Sequence, residues 1–211
     1  MSAGSVNMGN GNDTVTFGKM SGGTILLGGG ADNMTINGVL REDIAPESVF
    51  PILVRKRSLI DMGADNDTLT INGDVNDDPE IYMGTGNDIL SILGNINGGT
   101  FDLGDGNDVF NYSGGDIKST VNGGAGNDTF NFTGSKQDLF VNDTAGFERF
   151  NLNNSGGELN LSFSDLTTAG TRTVFIDGGS NDTVDLGENN GSIGLNRIMD
   201  KDRLGIILPE N

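Results

Sequence analysis

The chain has 211 residues, enough for one domain with a sizeable core or two small ones. Its 30 acidic and 12 basic residues give a net charge of −18, which repels nucleic acid and attracts cations. It contains neither Cys nor His, which excludes disulfides and removes the commonest zinc ligand. No run of about 18 apolar residues occurs, so we expect no membrane-spanning segment.

In chain order, the first recognisable element is a decapeptide, U-G-x-G-N-D-x-U-x-U with U apolar, which then recurs. The copies are "MGNGNDTVTF" (8–17), "LGGGADNMTI" (27–36), "MGADNDTLTI" (62–71), "MGTGNDILSI" (83–92), "LGDGNDVFNY" (103–112), "GGAGNDTFNF" (123–132) and the degenerate "DGGSNDTVDL" (177–186). The aspartates of the first six copies lie 19, 35, 21, 20 and 20 residues apart. A period near ~20 residues with a strand in each unit predicts a β-solenoid.

Apolar residues alternate on both sides of each Gly-rich corner, as in half-buried strands. In the strand before the corner the expected inward pairs are Ile25/Leu27, Ile60/Met62, Ile81/Met83, Phe101/Leu103 and Val121/Gly123. After the corner they are Val15/Phe17, Met34/Ile36, Leu69/Ile71, Leu90/Ile92, Phe110/Tyr112 and Phe130/Phe132, and a short third piece carries Val39, Val75, Ile96 or Ile117. We therefore predict an all-β fold, a right-handed parallel β-roll or β-helix with ~20-residue rungs and a C-terminal cap.

Two segments interrupt or extend the repeat. Residues 1–138 are predicted to form the solenoid, with a loop inserted at 40–58 that contains the basic run Arg55-Lys56-Arg57. The simpler interpretation of the insertion is a surface loop with solvated charges. Because variable loops on rigid scaffolds often carry binding, residues 41–57 are also a candidate contact for a host or cell-surface glycan or protein. Residues 139–211 are predicted to continue as degenerate rungs that end in a cap.

The corner aspartates raise a charge problem. Stacked strands lie about 4.8 Å apart, so the aspartates of neighbouring rungs must form a column at similar spacing. Such a column of like charges is unfavourable unless it is neutralised. Corner glycines allow positive φ and expose carbonyl oxygens, and carboxylate with carbonyl oxygens is the donor set that Ca²⁺ prefers. The alternative is metal-free, because Asn12 and its equivalents can cap the turn.

The decapeptide resembles the nonapeptide G-G-x-G-x-D-x-U-x of RTX, or hemolysin-type, calcium-binding repeats. "GGAGNDTFN" (123–131) matches at every fixed position, and the resemblance covers roughly 8–132 and 177–186. It implies a parallel β-roll, secretion from a Gram-negative bacterium and Ca²⁺ held between successive turns. The ligands it implies are the carboxylates of Asp13, Asp32, Asp67, Asp88, Asp108 and Asp128, with carbonyls of Gly9, Gly11, Gly28, Gly30, Gly84, Gly86, Gly104, Gly106, Gly124 and Gly126.

The sequence also departs from that family. RTX rolls usually carry two such corners per rung, whereas this repeat has Gly-x-Gly-Asn-Asp on one side only. Position 65 is Asp instead of Gly, and position 31 is Ala instead of Asn. Asn and Asp ladders close many metal-free solenoids, such as autotransporter passenger domains, so that interpretation stays open.

Three functions fit these observations. The first is a non-catalytic, calcium-stabilised, adhesin-like module of a secreted or cell-surface bacterial protein. The second is an accessory calcium-binding roll of a secreted enzyme such as a polysaccharide epimerase, lipase or protease. The third is a β-helix enzyme acting on polysaccharide. The chain has no Trp and 2 Tyr, whereas sugar clefts use aromatic platforms, so we expect no catalytic activity.

Overall fold

The computed structural model describes residues 4–44, 55–115, 117, 119–134, 138–141, 146–154, 160–163, 171–177, 183–185, 192–198 and 205–207. Within these ranges all regular secondary structure is β-strand. The same ranges therefore contain no helix with the length and apolar character needed to cross a bilayer.

The strands are short, as expected for the sides of a rung. In chain order the first twelve are β1 (Ser5–Asn7), β2 (Thr14–Phe17), β3 (Met20–Ser21), β4 (Gly23–Gly29), β5 (Asn33–Ile36), β6 (Leu40–Arg41), β7 (Asp43–Ile44), β8 (Arg55–Lys56), β9 (Ser58–Ala64), β10 (Thr68–Ile71), β11 (Glu80–Tyr82) and β12 (Ile89–Ile92). The others are β13 (Thr100–Asp102), β14 (Val109–Tyr112), β15 (Thr120–Asn122), β16 (Asp128–Gly134), β17 (Asp138–Val141), β18 (Phe147–Asn154), β19 (Asn160–Phe163), β20 (Thr171–Asp177), β21 (Thr183–Asp185), β22 (Ser192–Ile198) and β23 (Gly205–Ile207).

The strands form parallel sheets in which each rung pairs with the next. The nine-stranded sheet has the order β2-β5-β10-β12-β14-β16-β18-β20-β22, and the six-stranded sheet has the order β1-β4-β9-β11-β13-β15. A four-stranded sheet, β17-β19-β21-β23, continues the stack toward the C-terminus. The chain is thus a β-solenoid, and six consecutive rungs contribute one strand to each of the two larger sheets.

The core lies between the two larger sheets, and the predicted inward pairs are confirmed. The apolar members of the pairs from Ile25 to Phe132 are at most 2% exposed. In the first rung Val15 and Phe17 are only half-buried, because no described rung covers their outer side. The alternation of the sequence therefore identified the inner face of both sheets.

One predicted core position is wrong. Val39 is 36% exposed, whereas the next residue, Leu40, is fully buried. Leu40 pairs with Met20 in the rung before and with Val75 in the rung after. This register puts Leu40 into the third inward column, and the two-residue period then turns Val39 to solvent.

The insertion begins and ends on an antiparallel ribbon. Strands β7 and β8 pair Asp43 with Lys56 and Ile44 with Arg55. Arg57 then contacts Glu80 through its guanidinium and lies 3.8 Å from a carboxylate oxygen of the buried Glu42. Since β6 holds residues 40–41 and β9 begins at residue 58, the departure from the rung falls within 42–57. Residues 45–54, the middle of the proposed contact segment 41–57, lie outside the described residues.

Candidate functional site

The corner is the stretch from the first glycine to the aspartate of each repeat copy, and its backbone requires positive φ at two points. In the fourth corner Gly84 has φ of 106° and Gly86 has φ of 139°. In the third corner Asp65 takes the second position with φ of 79°, which is uncommon for a residue with a Cβ. Bridges connect Ala64, Thr85, Asp105 and Ala125 in sequence, so the corners stack in register.

Close stacking gives the corner glycines a second role. A Cβ on Gly104 would overlap the carbonyl oxygen of Gly84, and a Cβ on Gly106 would overlap that of Gly86. The same relation holds between Gly124 and Gly104. The carbonyl oxygens of each corner therefore occupy the space that a side chain would take at the glycines of the next corner. A residue with a Cβ at these glycines would push the rungs apart.

The six corner aspartates, which we call the aspartate column, are brought together as predicted. They are Asp13, Asp32, Asp67, Asp88, Asp108 and Asp128, and all except the first are at most 3% exposed. From Asp32 onward, each Oδ1 accepts the backbone N–H of the aspartate one rung earlier. The N–H of Asp88, for example, donates to Asp108 over 2.8 Å, and the five such distances run from 2.7 to 2.8 Å.

The second carboxylate oxygens of the column, Oδ2, differ from the first in their hydrogen bonding. The Oδ2 atoms of Asp32, Asp67, Asp88 and Asp108 are buried and have no hydrogen-bond partner in the described part of the chain. A buried carboxylate oxygen without a partner is costly, because it has lost water and gained nothing in return. The column thus presents a row of buried, unsatisfied anionic oxygens.

Burial shifts the protonation equilibria of three column members, Asp67, Asp88 and Asp108, toward the neutral acid. It raises the pKa of Asp67 to about 7, and the hydrogen bond from the Asp32 amide offsets only part of this rise. Burial likewise raises the pKa of Asp88 to about 6 and that of Asp108 to about 7. For Asp67 and Asp108, the neighbouring carboxylates of the column raise the pKa further. At neutral pH the column therefore needs protons or cations to balance its charge.

A second ladder runs through the corner asparagines in the opposite direction. The Oδ1 of Asn87 accepts the N–H of Asn107 over 2.7 Å, and the Oδ1 of Asn107 accepts the N–H of Asn127 over 2.9 Å. Asparagine oxygens thus reach forward to the next rung, whereas aspartate oxygens reach back. The two ladders satisfy successive corner amides, as the metal-free alternative requires.

The departures at positions 31 and 65 interrupt the asparagine ladder. The N–H of Ala31 donates to Oδ1 of Asn12 over 3.0 Å, but Ala31 has no side-chain oxygen that could accept an N–H of the next corner. At the same level the carboxylate of Asp65 accepts the N–H of Gly30 over 3.1 Å. One exposed carboxylate therefore replaces a missing asparagine contact between the second and third corners.

The corner carbonyls already take part in rung-to-rung contacts. The carbonyl oxygens of Gly84 and Gly104 accept the N–H groups of Asp105 and Ala125, both over 2.9 Å. Each keeps a second lone pair, so these oxygens remain available to a cation. Gly124 and Gly126 belong to the sixth corner and also have positive φ, at 99° and 147°.

The described residues contain no cluster of three or more acidic side chains arranged for a metal ion. A cation at the column would therefore depend on backbone oxygens as well as on carboxylates. Calcium accepts such mixed oxygen sets, whereas zinc and other N/S-seeking ions do not. The donor types present fit Ca²⁺ in chemistry: buried carboxylate oxygens without partners among the described residues, and corner carbonyls with spare lone pairs.

The sequence reasoning missed an asparagine ladder on the outer face of the nine-stranded sheet. The side-chain amide of Asn131 donates to Asn111 over 2.9 Å, and that of Asn151 donates to Asn131 over 2.7 Å. The signal was available, because these residues occupy the polar position between the two inward residues of each strand. This ladder supports sheet stacking and faces away from the aspartate column.

These features define the class of protein as a parallel β-solenoid module, built from stacked Gly-x-Gly-Asn-Asp corners over an internal carboxylate column. No family model matches the chain, and no curated protein or solved structure is significantly similar to it.

Proposed function

We propose that this chain is a non-catalytic, calcium-stabilised β-solenoid module of a secreted or cell-surface bacterial protein. Its role is structural and adhesive: it forms a rigid rod of stacked rungs that carries binding loops. The observation that carries the proposal is the row of buried Oδ2 atoms without hydrogen-bond partners at Asp32, Asp67, Asp88 and Asp108. A divalent cation between rungs would neutralise this row and satisfy it at the same time.

The composition supports oxygen-based cation binding. The chain has no His and no Cys, so oxygen ligands are what it offers, and its net charge of −18 concentrates cations at its surface. When bound, Ca²⁺ would supply positive charge at the corners. Asp88 and Asp108 would hold it with their Oδ2 atoms, together with the carbonyl oxygens of Gly84 and Gly104.

The secreted or surface location and the adhesive role rest on the resemblance of the corners to RTX repeats. In this proposal the inserted segment, 41–57, supplies a contact for a glycan or protein, and strands β7 and β8 pair at its base. An accessory roll of a secreted enzyme would use the same calcium chemistry. It would differ in having a catalytic domain elsewhere in its parent protein.

A metal-free solenoid is the second candidate, and a specific observation favours it. Every Oδ1 of the column from Asp32 to Asp128 already accepts a backbone N–H, and the asparagine ladder satisfies further corner amides. In that case the column carries protons in place of cations, and the rungs are held by side-chain ladders alone.

Thermal unfolding followed by circular dichroism separates the two candidates. The calcium proposal expects the midpoint to fall in EDTA and to recover in millimolar Ca²⁺, because an ion that binds only the folded state stabilises it. Magnesium should restore the midpoint poorly, since it demands octahedral geometry and dehydrates reluctantly. A midpoint that is the same in EDTA and in Ca²⁺ would reject calcium and leave the solenoid intact.

A matched pair of variants locates the effect. Asp108→Asn removes the charge from a buried column member but keeps an oxygen for the Asp88 amide, so the response to Ca²⁺ should weaken. Asp105→Asn removes the same charge from an exposed position in the same corner and should leave the response unchanged. Equal effects would mean that Ca²⁺ acts through general surface charge.

A further inference from the structure

The N-terminal side of the first rung, unlike that of the rungs after it, is not covered by another rung among the described residues. A Cβ placed on Gly9 or Gly11 would have no described atom within 4 Å. At the equivalent glycines of later corners, such as Gly28 and Gly84, a Cβ would overlap the carbonyl oxygen of the rung before. Gly9 and Gly11 nevertheless keep positive φ, at 92° and 131°. The first corner thus has the spaces that receive carbonyls, and no described residue fills them.

The aspartate ladder and the asparagine ladder of the corners both end at the first corner, which carries the same hydrogen-bonding groups as the later corners. Asp32 accepts the N–H of Asp13 over 2.7 Å, but the carboxylate of Asp13 receives no amide from the described residues. In later rungs Gly29, Ala31 and Asn33 donate their N–H groups to the rung before. Their equivalents in the first rung are Asn10, Asn12 and Thr14.

The apolar side of the first rung is also partly open. Val6, Val15 and Phe17 are half-buried, whereas their equivalents in the next rung are fully buried, namely Ile25, Met34 and Ile36. Strands β1 and β2 lie at the edges of their sheets. Open parallel edges above an incompletely covered core are a site for strand addition.

We propose that this N-terminal face, formed by residues 5–17, is a docking surface for one further rung of the same repeat, with parallel strands and a Gly-x-Gly-Asn-Asp corner. Such a rung supplies carbonyl oxygens to Gly9 and Gly11, an aspartate amide to Asp13, and apolar side chains above Val15 and Phe17. The inference does not depend on calcium, because each of these contacts is made between protein groups of neighbouring rungs.

The geometry favours a like rung over a second copy meeting face to face. The Gly9 carbonyl accepts the N–H of Gly29 in the second rung, so among the described residues the N-terminal face presents the glycine spaces without the Gly9 carbonyl. If two N-terminal faces met, the spaces beside the glycines of one would face those of the other, and neither face would supply the carbonyl oxygens that fill them between rungs. The complementary surface is the C-terminal side of a rung with an intact corner.

The test is to insert a copy of residues 100–119, one 20-residue rung, directly before Ser5. The register pairs the copied Thr100 and Phe101 with Ser5 and Val6, as Thr100 and Phe101 already pair with Thr120 and Val121. We expect the thermal midpoint to rise by about 4 °C or more, since solenoid stability grows with each rung interface. Hydrogen exchange at the amides of the first corner should slow in the extended chain.

Gly9→Ala, made in both the original and the extended chain, provides the control. In the original chain its cost comes from backbone φ alone, because no atom of the described residues lies within 4 Å of the added Cβ. In the extended chain the new Cβ meets a carbonyl, as it would at Gly28, so the loss of midpoint should be at least about twofold larger. Equal losses in the two chains overturn the proposal.

Other outcomes also decide against it. An unchanged midpoint with unchanged exchange at Asn10, Asn12 and Thr14 means that the face does not accept a rung. Loss of hydrogen-exchange protection in β14 would mean that the inserted rung disturbs the fold of the original rungs. A second extension with residues 80–99 is then made, and failure of both extensions counts against the proposal. The face is assigned to a second copy if two results are found together. The thermal midpoint of the original chain rises with protein concentration, and sedimentation shows a dimer that Gly9→Ala abolishes.

Discussion

Phe110→Ala examines the core that the repeat builds. The Phe110 ring is fully buried, and its centroid lies 5.2 Å from that of Phe130, 5.9 Å from that of Tyr112 and 6.5 Å from that of Phe147. Truncation removes a large apolar side chain and leaves a cavity, which costs about 3–5 kcal/mol for Phe→Ala. The upper part of this range applies, because the ladders on both sides fix the rung spacing and prevent collapse, and because about 0.5–1.5 kcal/mol of ring-pair energy is lost as well.

Urea unfolding followed by circular dichroism measures this loss, with Val109→Ala as the control. Val109 precedes Phe110 in β14 but points outward and is only half-buried, so we expect a loss below about 1 kcal/mol. For Phe110→Ala the thermal midpoint should fall by about 6–20 °C in a chain of this size. Similar losses in the two variants would refute the assignment of the inward face on which the fold argument rests.

Two further predictions concern the corner. In EDTA, stability should fall as pH rises from about 4 to 8, because burial raises the pKa of Asp67 and Asp108 to about 7 and that of Asp88 to about 6, above the ordinary value near ~4. The folded state then holds protons that the unfolded chain releases, so this stability is fully present below about pH 4 and is lost through about pH 6–7. Thermal midpoints at pH 5 and 8 check it, and a midpoint that is higher at pH 8 would contradict it. Gly104→Ala should destabilise by about 2 kcal/mol or more, because the Cβ overlaps a carbonyl of the rung before and φ is 97°. The exposed Thr85→Ala in a neighbouring corner is its control in urea unfolding, and equal midpoints would contradict the stacking argument.

The repetition of the corner made the fold predictable from the sequence. A ~20-residue period leaves one way to bury short alternating strands, which is to stack each rung on the last. Ile81/Met83 and Phe110/Tyr112 were therefore assigned to the core correctly. Val39 was misassigned because two apolar residues stand side by side there, and the inward one is Leu40, four residues after Ile36 as Val75 is four after Ile71. A two-residue period turns this one-residue error into a change of face.

The candidate site was predictable only in part. The column of Asp88, Asp108 and Asp128 followed from identical residues at identical places in stacked rungs. The sequence alone determined that these carboxylates lie in a row, that glycines accompany them, and that the apolar residues face inward, because these are consequences of period and alternation.

Only the tertiary structure decided how each group is used. Whether a carboxylate reaches to the rung before or to the rung after depends on where neighbouring amides point, and no residue spacing encodes that direction. The structure gave one oxygen of Asp108 to the Asp88 amide, left the other buried without a partner, and set Asn107 to reach the opposite way. It also showed that the corner glycines are required for the close approach of carbonyls between rungs, a distance that exists only once the chain has stacked.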